Sequence, residues 1–185
     1  MFVRPDEHWD LGLSATYADA EITDSQLNPD SGLPIGGIRD GNRLPTSPQL
    51  QAVATLAYNW RMGSSLESYV RLTGQHVGSS FTQLADQEPN FGLITSNAIP
   101  GAARLIDFGD VNVTDIPFEA ELPSYDIANL RWGVRTDRWE GGVFVNNLFD
   151  ERAFLSVDRE RGRSARVGYL TNLPRTIGVN FRMNF

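Results

Sequence analysis

Residues 174–185 read PRTIGVNFRMNF. Counting back by two from Phe185 gives Met183, Phe181, Val179 and Ile177, with Asn184, Arg182, Asn180, Gly178 and Thr176 between them. In an extended chain, successive side chains point to opposite faces, so one face here is apolar and the other polar or bare. A strand of this kind keeps one side out of water.

The same alternation recurs upstream. Trp9, Leu11, Leu13, Ala15 and Tyr17 are interleaved with Asp10, Gly12, Ser14 and Thr16. Leu50, Ala52, Ala54, Leu56, Tyr58 and Trp60 alternate with Gln49, Gln51, Thr55 and Asn59, with Val53 and Ala57 as exceptions. Leu66, Val70 and Leu72 stand against Glu67, Arg71, Thr73 and Gln75, and Ala128, Leu130, Trp132 and Val134 against Asn129, Arg131, Gly133 and Arg135. The segment WEGGVFVNNLFDERAF, 139–154, alternates less cleanly, with Val143 and Val145 on one side and Phe144 on the other. No segment carries a helical stripe. The expected fold is all-β: an antiparallel up-and-down meander of about six long strands, with residues 1–185 forming one unit.

The connections alternate in length. Arg61-Met62-Gly63 and Asp137-Arg138 mark short turns, whereas residues 21–47, 80–123 and 157–174 are long and rich in Gly, Pro, Asp, Asn and Ser. All short turns then lie at one sheet edge and all long loops at the other. Long loops are rare in compact soluble domains but normal on the outer side of a transmembrane β-barrel, whose periplasmic turns are short. Trp9, Trp60 and Trp139 fall at the short-turn edge, with Phe185, while Tyr17 and Tyr125 lie toward the other. Aromatic belts at the two membrane interfaces place rings this way. Segments of about 11 to 14 residues suffice for the roughly 9 to 11 that a tilted barrel strand needs. The apolar face would then meet a lipid bilayer.

Composition narrows the functions. Hydrophobic residues make up 41% and charged residues 21%, which excludes a disordered chain, and no apolar run is long enough for a transmembrane helix. The absence of cysteine excludes disulfides, thiolate catalysis and Cys-based zinc sites. A net charge of -7 argues against nucleic acid as a partner. The start, MFVRPDEHWD, has no apolar h-region and is not read as a signal peptide.

Four stretches in this order resemble TonB-dependent outer-membrane receptors: Gly41-Asn42-Arg43-Leu44-Pro45-Thr46-Ser47-Pro48, Tyr125-Asp126-Ile127-Ala128-Asn129-Leu130-Arg131, Asn147-Leu148-Phe149-Asp150-Glu151-Arg152, and Pro174-Arg175-Thr176 opening a last strand that ends in Phe. The resemblance implies the C-terminal part of a receptor barrel in the bacterial outer membrane, for uptake of a scarce small-molecule ligand of the siderophore, cobalamin or saccharide class. It also implies energy from the TonB complex, reached through an N-terminal part not present here. Family members precede the barrel with a signal peptide, a TonB box and a plug, and their barrels have 22 strands. Six strands do not close a lipid-facing barrel, so the chain is expected to be a C-terminal fragment, inactive alone. Two rivals stay open: a small porin-like barrel made by oligomerisation, and a soluble β-sandwich binding module.

The resemblance gives Phe185, Met183, Phe181, Val179 and Ile177 a second role, as the signal read by the outer-membrane assembly machinery; plain strand packing is compatible with it. Glu67, Arg71, Arg131, Arg135 and Arg182, with Glu140, would face the lumen as a charge lattice that docks the plug. The basic cluster Arg159, Arg161, Arg163 and Arg166 could contact lipopolysaccharide phosphates or an anionic ligand, since guanidinium groups bind phosphate bidentately. A solvated loop pairing with Asp158 and Glu160 is the simpler reading.

No enzyme constellation is present. His8 and His76 lack metal-ligand spacing and read as ordinary polar residues. There is no Gly-x-Ser-x-Gly elbow, and Gly36–Gly41 has neither the spacing nor the Lys of a phosphate loop. Asn28-Pro29-Asp30-Ser31-Gly32 with Asp40 lacks an EF-hand pattern and reads as a solvated loop rather than a calcium site. A carboxylate pair for acid–base work needs a pocket, and nothing in the sequence around Asp107 and Asp110 suggests one. No cofactor is expected.

Overall fold

The computed structural model describes residues 1–88, 93–95, 115–117, 119–160 and 166–183. In chain order the strands are β1 (Phe2–Val3), β2 (Trp9–Tyr17), β3 (Leu50–Arg61), β4 (Glu67–Val77), β5 (Ser80–Phe81), β6 (Leu93–Thr95) and β7 (Asp115–Pro117). They continue with β8 (Glu121–Leu122), β9 (Tyr125–Arg135), β10 (Trp139–Asn146), β11 (Phe154–Glu160), β12 (Arg166–Thr171) and β13 (Thr176–Met183). One sheet in the order β1-β2-β3-β4-β9-β10-β13 holds the six long strands, every pair antiparallel. This is the expected meander, with the two-residue β1 added at its edge.

The register explains why alternation in sequence becomes two chemically distinct faces. One cross-strand row runs Leu11, Leu56, Leu72, Leu130, Val145 and Ile177 through β2, β3, β4, β9, β10 and β13. Two residues along, the row is Trp9, Tyr58, Val70, Trp132, Val143 and Val179. Between these rows the opposite face presents Asp10, Ala57, Arg71, Arg131, Phe144 and Gly178, and beyond the first row it presents Gly12, Thr55, Thr73 and Asn129. A slip of one residue in any pair would carry an apolar set to the polar face, so the pattern pins the register.

The apolar face is not a protein core. Ile177, Val179 and Phe181 are 73%, 79% and 70% exposed, and Leu13, Leu56, Leu72, Trp132 and Val143 are exposed as well. The buried apolar residues among those described are only Ala57, Ala85, Leu122, Ala153 and Val157. A β-sandwich would stack a second sheet on this face; among the described residues none does. Leaving such Val, Leu or Phe side chains in water forgoes roughly 1.5–3 kcal/mol each.

Turn chemistry sorts the ends. Between β3 and β4, the Met62 amide donates to the Leu66 carbonyl at 2.7 Å, and Gly63 takes φ +87°, a conformation that costs glycine little. Between β9 and β10, the Thr136 amide donates to the Trp139 carbonyl at 2.8 Å, and its hydroxyl accepts the Trp139 amide at 3.2 Å. The long connections leave the opposite edge. They are not irregular throughout, as their composition suggests: they hold 3-10 turns at Ile35–Gly37 and Leu84–Gln87 and the two-stranded pairs β5/β8, β6/β7 and β11/β12.

The segment 139–154 is not one strand. β10 stops at Asn146 because Asn147 takes φ +53°, and its buried carboxamide is committed to closing the turn.

Candidate lumenal wall and its loop clasps

The polar face carries Arg61, Arg71, Arg131, Arg135 and Arg182 against Asp10, Glu67 and Glu140: five cations to three carboxylates in a chain of net charge -7. All five charges expected on the lumen side, Glu67, Arg71, Arg131, Arg135 and Arg182, therefore share one face. Glu67 accepts from the Arg135 guanidinium at 2.9 Å, with Arg61 at 3.8 Å on its other oxygen. Asp10 accepts from Arg4 at 2.7 Å and from the Asn59 amide at 3.0 Å. Tyr69 donates its hydroxyl to Glu140 at 3.0 Å.

Two aromatic rings lie over bare backbone on this face. A Cβ on Gly133 would meet the Tyr69 ring at 2.7 Å, and one on Gly178 would strike Phe144. This accounts for Phe144, whose side looked irregular in sequence: it covers Gly178 directly across the β10–β13 pair, with the Arg131 guanidinium 5.9 Å from its centroid.

The apolar face is tidied at the short-turn end. Trp9, Trp60 and Trp139 all stand there, as expected. Trp9 packs on Tyr58 with centroids 4.7 Å apart, Tyr58 on Trp60 at 5.7 Å, and Trp139 on Phe181 at 6.2 Å. The fourth tryptophan, Trp132, lies in the Trp9 row and donates its indole N–H to the Ser68 hydroxyl at 3.1 Å. Ser68, 1% exposed, donates its own hydroxyl to the Gly133 carbonyl at 3.1 Å. At the other end Tyr17 is exposed on the apolar face, but Tyr125 pairs with Val77 on the polar face. Odd-numbered residues of β9 all point that way, so Tyr125 is not part of an outer aromatic belt.

Of the terminal apolar set, Ile177, Val179, Phe181 and Met183 line the exposed apolar side of β13; Phe185 lies outside the described residues. Arg159 and Arg166 fall at the end of the β11–β12 hairpin where the chain connects the two strands, in register with Val167 and Glu160, and Arg161 and Arg163 lie outside the described residues. Asp107 and Asp110 lie outside them too. His8 contacts the Asn59 carbonyl at 2.8 Å and His76 contacts Asp126 at 2.9 Å. The described residues hold no group of three metal-ligating side chains. Asn28 accepts the amides of Asp30 at 2.8 Å and Ser31 at 3.2 Å, so its oxygen is spent on a local turn.

The stretch Gly41–Pro48 singled out in the sequence is a clasp. In Gly41–Pro48, Asn42 donates to the Gly37 carbonyl at 2.9 Å and to Glu88 at 3.0 Å, while the Arg43 backbone and the Gln87 carboxamide exchange two bonds of 2.8 Å. The Arg43 guanidinium reaches Glu121 at 2.8 Å and lies over Phe81. Nearby, Arg39 grips Glu88 with Nε and a terminal nitrogen, the closest contact 2.8 Å. That pairing holds the Glu88 carboxyl below its usual range, with Asn42 adding to the effect. The first long loop is thus bound to the second. Thr82 accepts the Val157 amide at 2.9 Å, and Tyr169 bonds both polar atoms of the Glu119 backbone, which binds the second loop to the third. None of Arg39, Gln87, Glu88 or Glu121 stands out in sequence, because their partners lie 44 to 78 residues away.

No protein-family model and no curated protein matches the sequence. Solved structures do. The ferric yersiniabactin uptake receptor FyuA from Yersinia pestis matches over 100% of this chain and 22% of its own, with 18% identity and a TM-score of 0.63. The likeness is one of fold: an antiparallel meander that matches part of that receptor's β-barrel. The siderophore receptor PiuA from Acinetobacter baumannii matches 97% of this chain and 20% of its own, at 18% identity and TM-score 0.58. The ferric-catecholate import receptor Fiu from E. coli K12, in its closed form, matches 98% and 19%, at 18% identity and TM-score 0.56. The chain thus spans about a fifth of the length of each receptor.

Proposed function

We propose that the chain forms the C-terminal wall of a TonB-dependent outer-membrane receptor that imports a siderophore-class ligand. One observation carries this reading: a sheet with six long strands has a continuous apolar face, uncovered among the described residues, a charged opposite face, and long loops joined to one another at a single end. A bilayer is the solvent in which that apolar face is stable, and the backbone of such a wall must be paired strand to strand within it. The polar face then lines the lumen and docks a plug supplied by another part of the receptor. The edges at β1–β2 and β13 are completed by further strands, since an unpaired edge is an aggregation hazard in water. Ile177, Val179, Phe181 and Met183, with Phe185, present the assembly signal. The wall alone does not transport, and no step is enzymatic.

The three solved receptors support the ligand class, since they are named for ferric yersiniabactin uptake, for a siderophore and for ferric-catecholate import. The loops capture ligand as one connected layer. Envelope fractionation tests the location, and uptake of labelled ferric siderophores by cells lacking the gene tests the activity. The chain is expected in the outer membrane, with uptake of at least one ferric chelate lost on deletion. Recovery in the soluble fraction would overturn the proposal.

A further inference from the structure

Arg71 and Arg131 occupy directly opposed positions on β4 and β9, on the polar face. Like charges directly across a strand pair repel and destabilise the sheet. Among the described residues neither guanidinium lies within ion-pair distance of a carboxylate, because the three acids of this face are engaged elsewhere: Asp10 with Arg4, Glu67 with Arg135 and Glu140 with Tyr69. The two arginines line a depression of about 280 Å³ together with Thr73, Asn129 and Asn146. All three are able to donate hydrogen bonds, and no acid is in the lining. Phe144 steadies the Arg131 guanidinium from beneath.

We infer that Arg71 and Arg131 form an oxyanion site in the wall, taking a carboxylate or phosphate group between two guanidinium forks with Thr73, Asn129 and Asn146 as neutral donors. An oxyanion turns the repelling pair into two charge-assisted contacts, which guanidinium geometry favours. The site deepens the lumen reading and rests on it. The group comes either from an acidic side chain of a plug inside the barrel or from a free small anion.

The test uses the natural gene product, isolated from whichever cell fraction holds it. Unfolding midpoints are compared for the unmodified protein, Arg71→Met, Arg131→Met and the matching Lys variants, with and without citrate or inorganic phosphate at fixed ionic strength. A resident carboxylate lowers the midpoint of both Met variants by about 2–4 °C, the Lys variants recover most of it, and added anions change nothing. A free anion raises the midpoint of the unmodified protein and not of the Met variants. The inference is overturned if the Met variants unfold at or above the unmodified midpoint with no anion response. It is overturned equally if Lys and Met variants fall alike. Recovery from the soluble fraction would count against the outer-membrane reading, while the direction of these shifts still decides the site.

Discussion

The carboxamide oxygen of Asn129 accepts the backbone N–H of Asn147 at 3.0 Å. One bond thereby joins the Tyr125–Arg131 motif of β9 to the Asn147–Arg152 motif that follows β10. Asn147 extends the connection: its amide nitrogen donates to the carbonyls of Glu151 at 2.9 Å and Leu173 at 3.1 Å, and its oxygen accepts the Glu151 amide at 2.9 Å. Asp150 then accepts the Arg175 amide at 2.7 Å, at the entry to β13. The two motifs and Pro174-Arg175-Thr176 are three parts of one junction.

Asn147→Ala leaves buried donors and acceptors unmatched at a residue only 4% exposed. The expected loss is about 2–4 kcal/mol of stability, read as a lower urea midpoint. Asn147→Gly keeps the backbone conformation but not the bonds, so it loses nearly as much. A loss for Ala without one for Gly would place the effect in the backbone instead.

Gly178→Ala places a methyl group against Phe144. Overpacking of this kind costs about 1–3 kcal/mol. Phe144→Ala uncovers the backbone and is expected to destabilise as well. The double variant should lose clearly less than the sum of the two, as measured by unfolding midpoints. Additive losses would show that the ring and the glycine do not share the site.

The Arg39–Glu88 clasp gives loop docking a pH dependence. Glu88 titrates below its ordinary value of 4.5, chiefly through its bonds with Arg39. Its stabilising share is therefore complete above that value and disappears as pH falls through the lower folded-state value. Protease cleavage of the first long loop should rise on acidification below about pH 4.5. Arg39→Gln should be cleaved readily at neutral pH already, with no further rise of this origin.

The two faces of β13 differ in what they tolerate. Val179→Lys sets a charge on the apolar face, which costs about 2–4 kcal/mol near a bilayer midplane. Asn180→Lys places the same charge on the polar face. Outer-membrane yield should fall sharply for the first and stay near normal for the second.

The sheet was legible in the sequence because period-two alternation and register are the same information: Leu11, Leu56, Leu72, Leu130, Val145 and Ile177 line up once each strand places its apolar set on one side. That Glu67, Arg71, Arg131, Arg135 and Arg182 share one face was legible for the same reason. Three things were not. Tyr125 belongs to the polar face, a matter of parity that its position at the loop end obscures. The end of β10 depends on a left-handed Asn147, which an apolar pattern continuing through Leu148 and Phe149 hides. The clasps between loops join residues far apart in the chain, and a periodicity carries no information about such pairs.

The central claim is that the apolar face meets lipid and the polar face water. The chain has no cysteine, so single cysteines can be introduced at Ile177, Val179, Asn180, Phe181 and Arg182 and spin-labelled without background. Accessibility to molecular oxygen and to a water-soluble nickel chelate would then be measured in membranes. The account predicts high oxygen and low nickel accessibility at 177, 179 and 181, with the reverse at 180 and 182. Low accessibility to both probes at 177, 179 and 181 would mean that protein covers that face, and would contradict it.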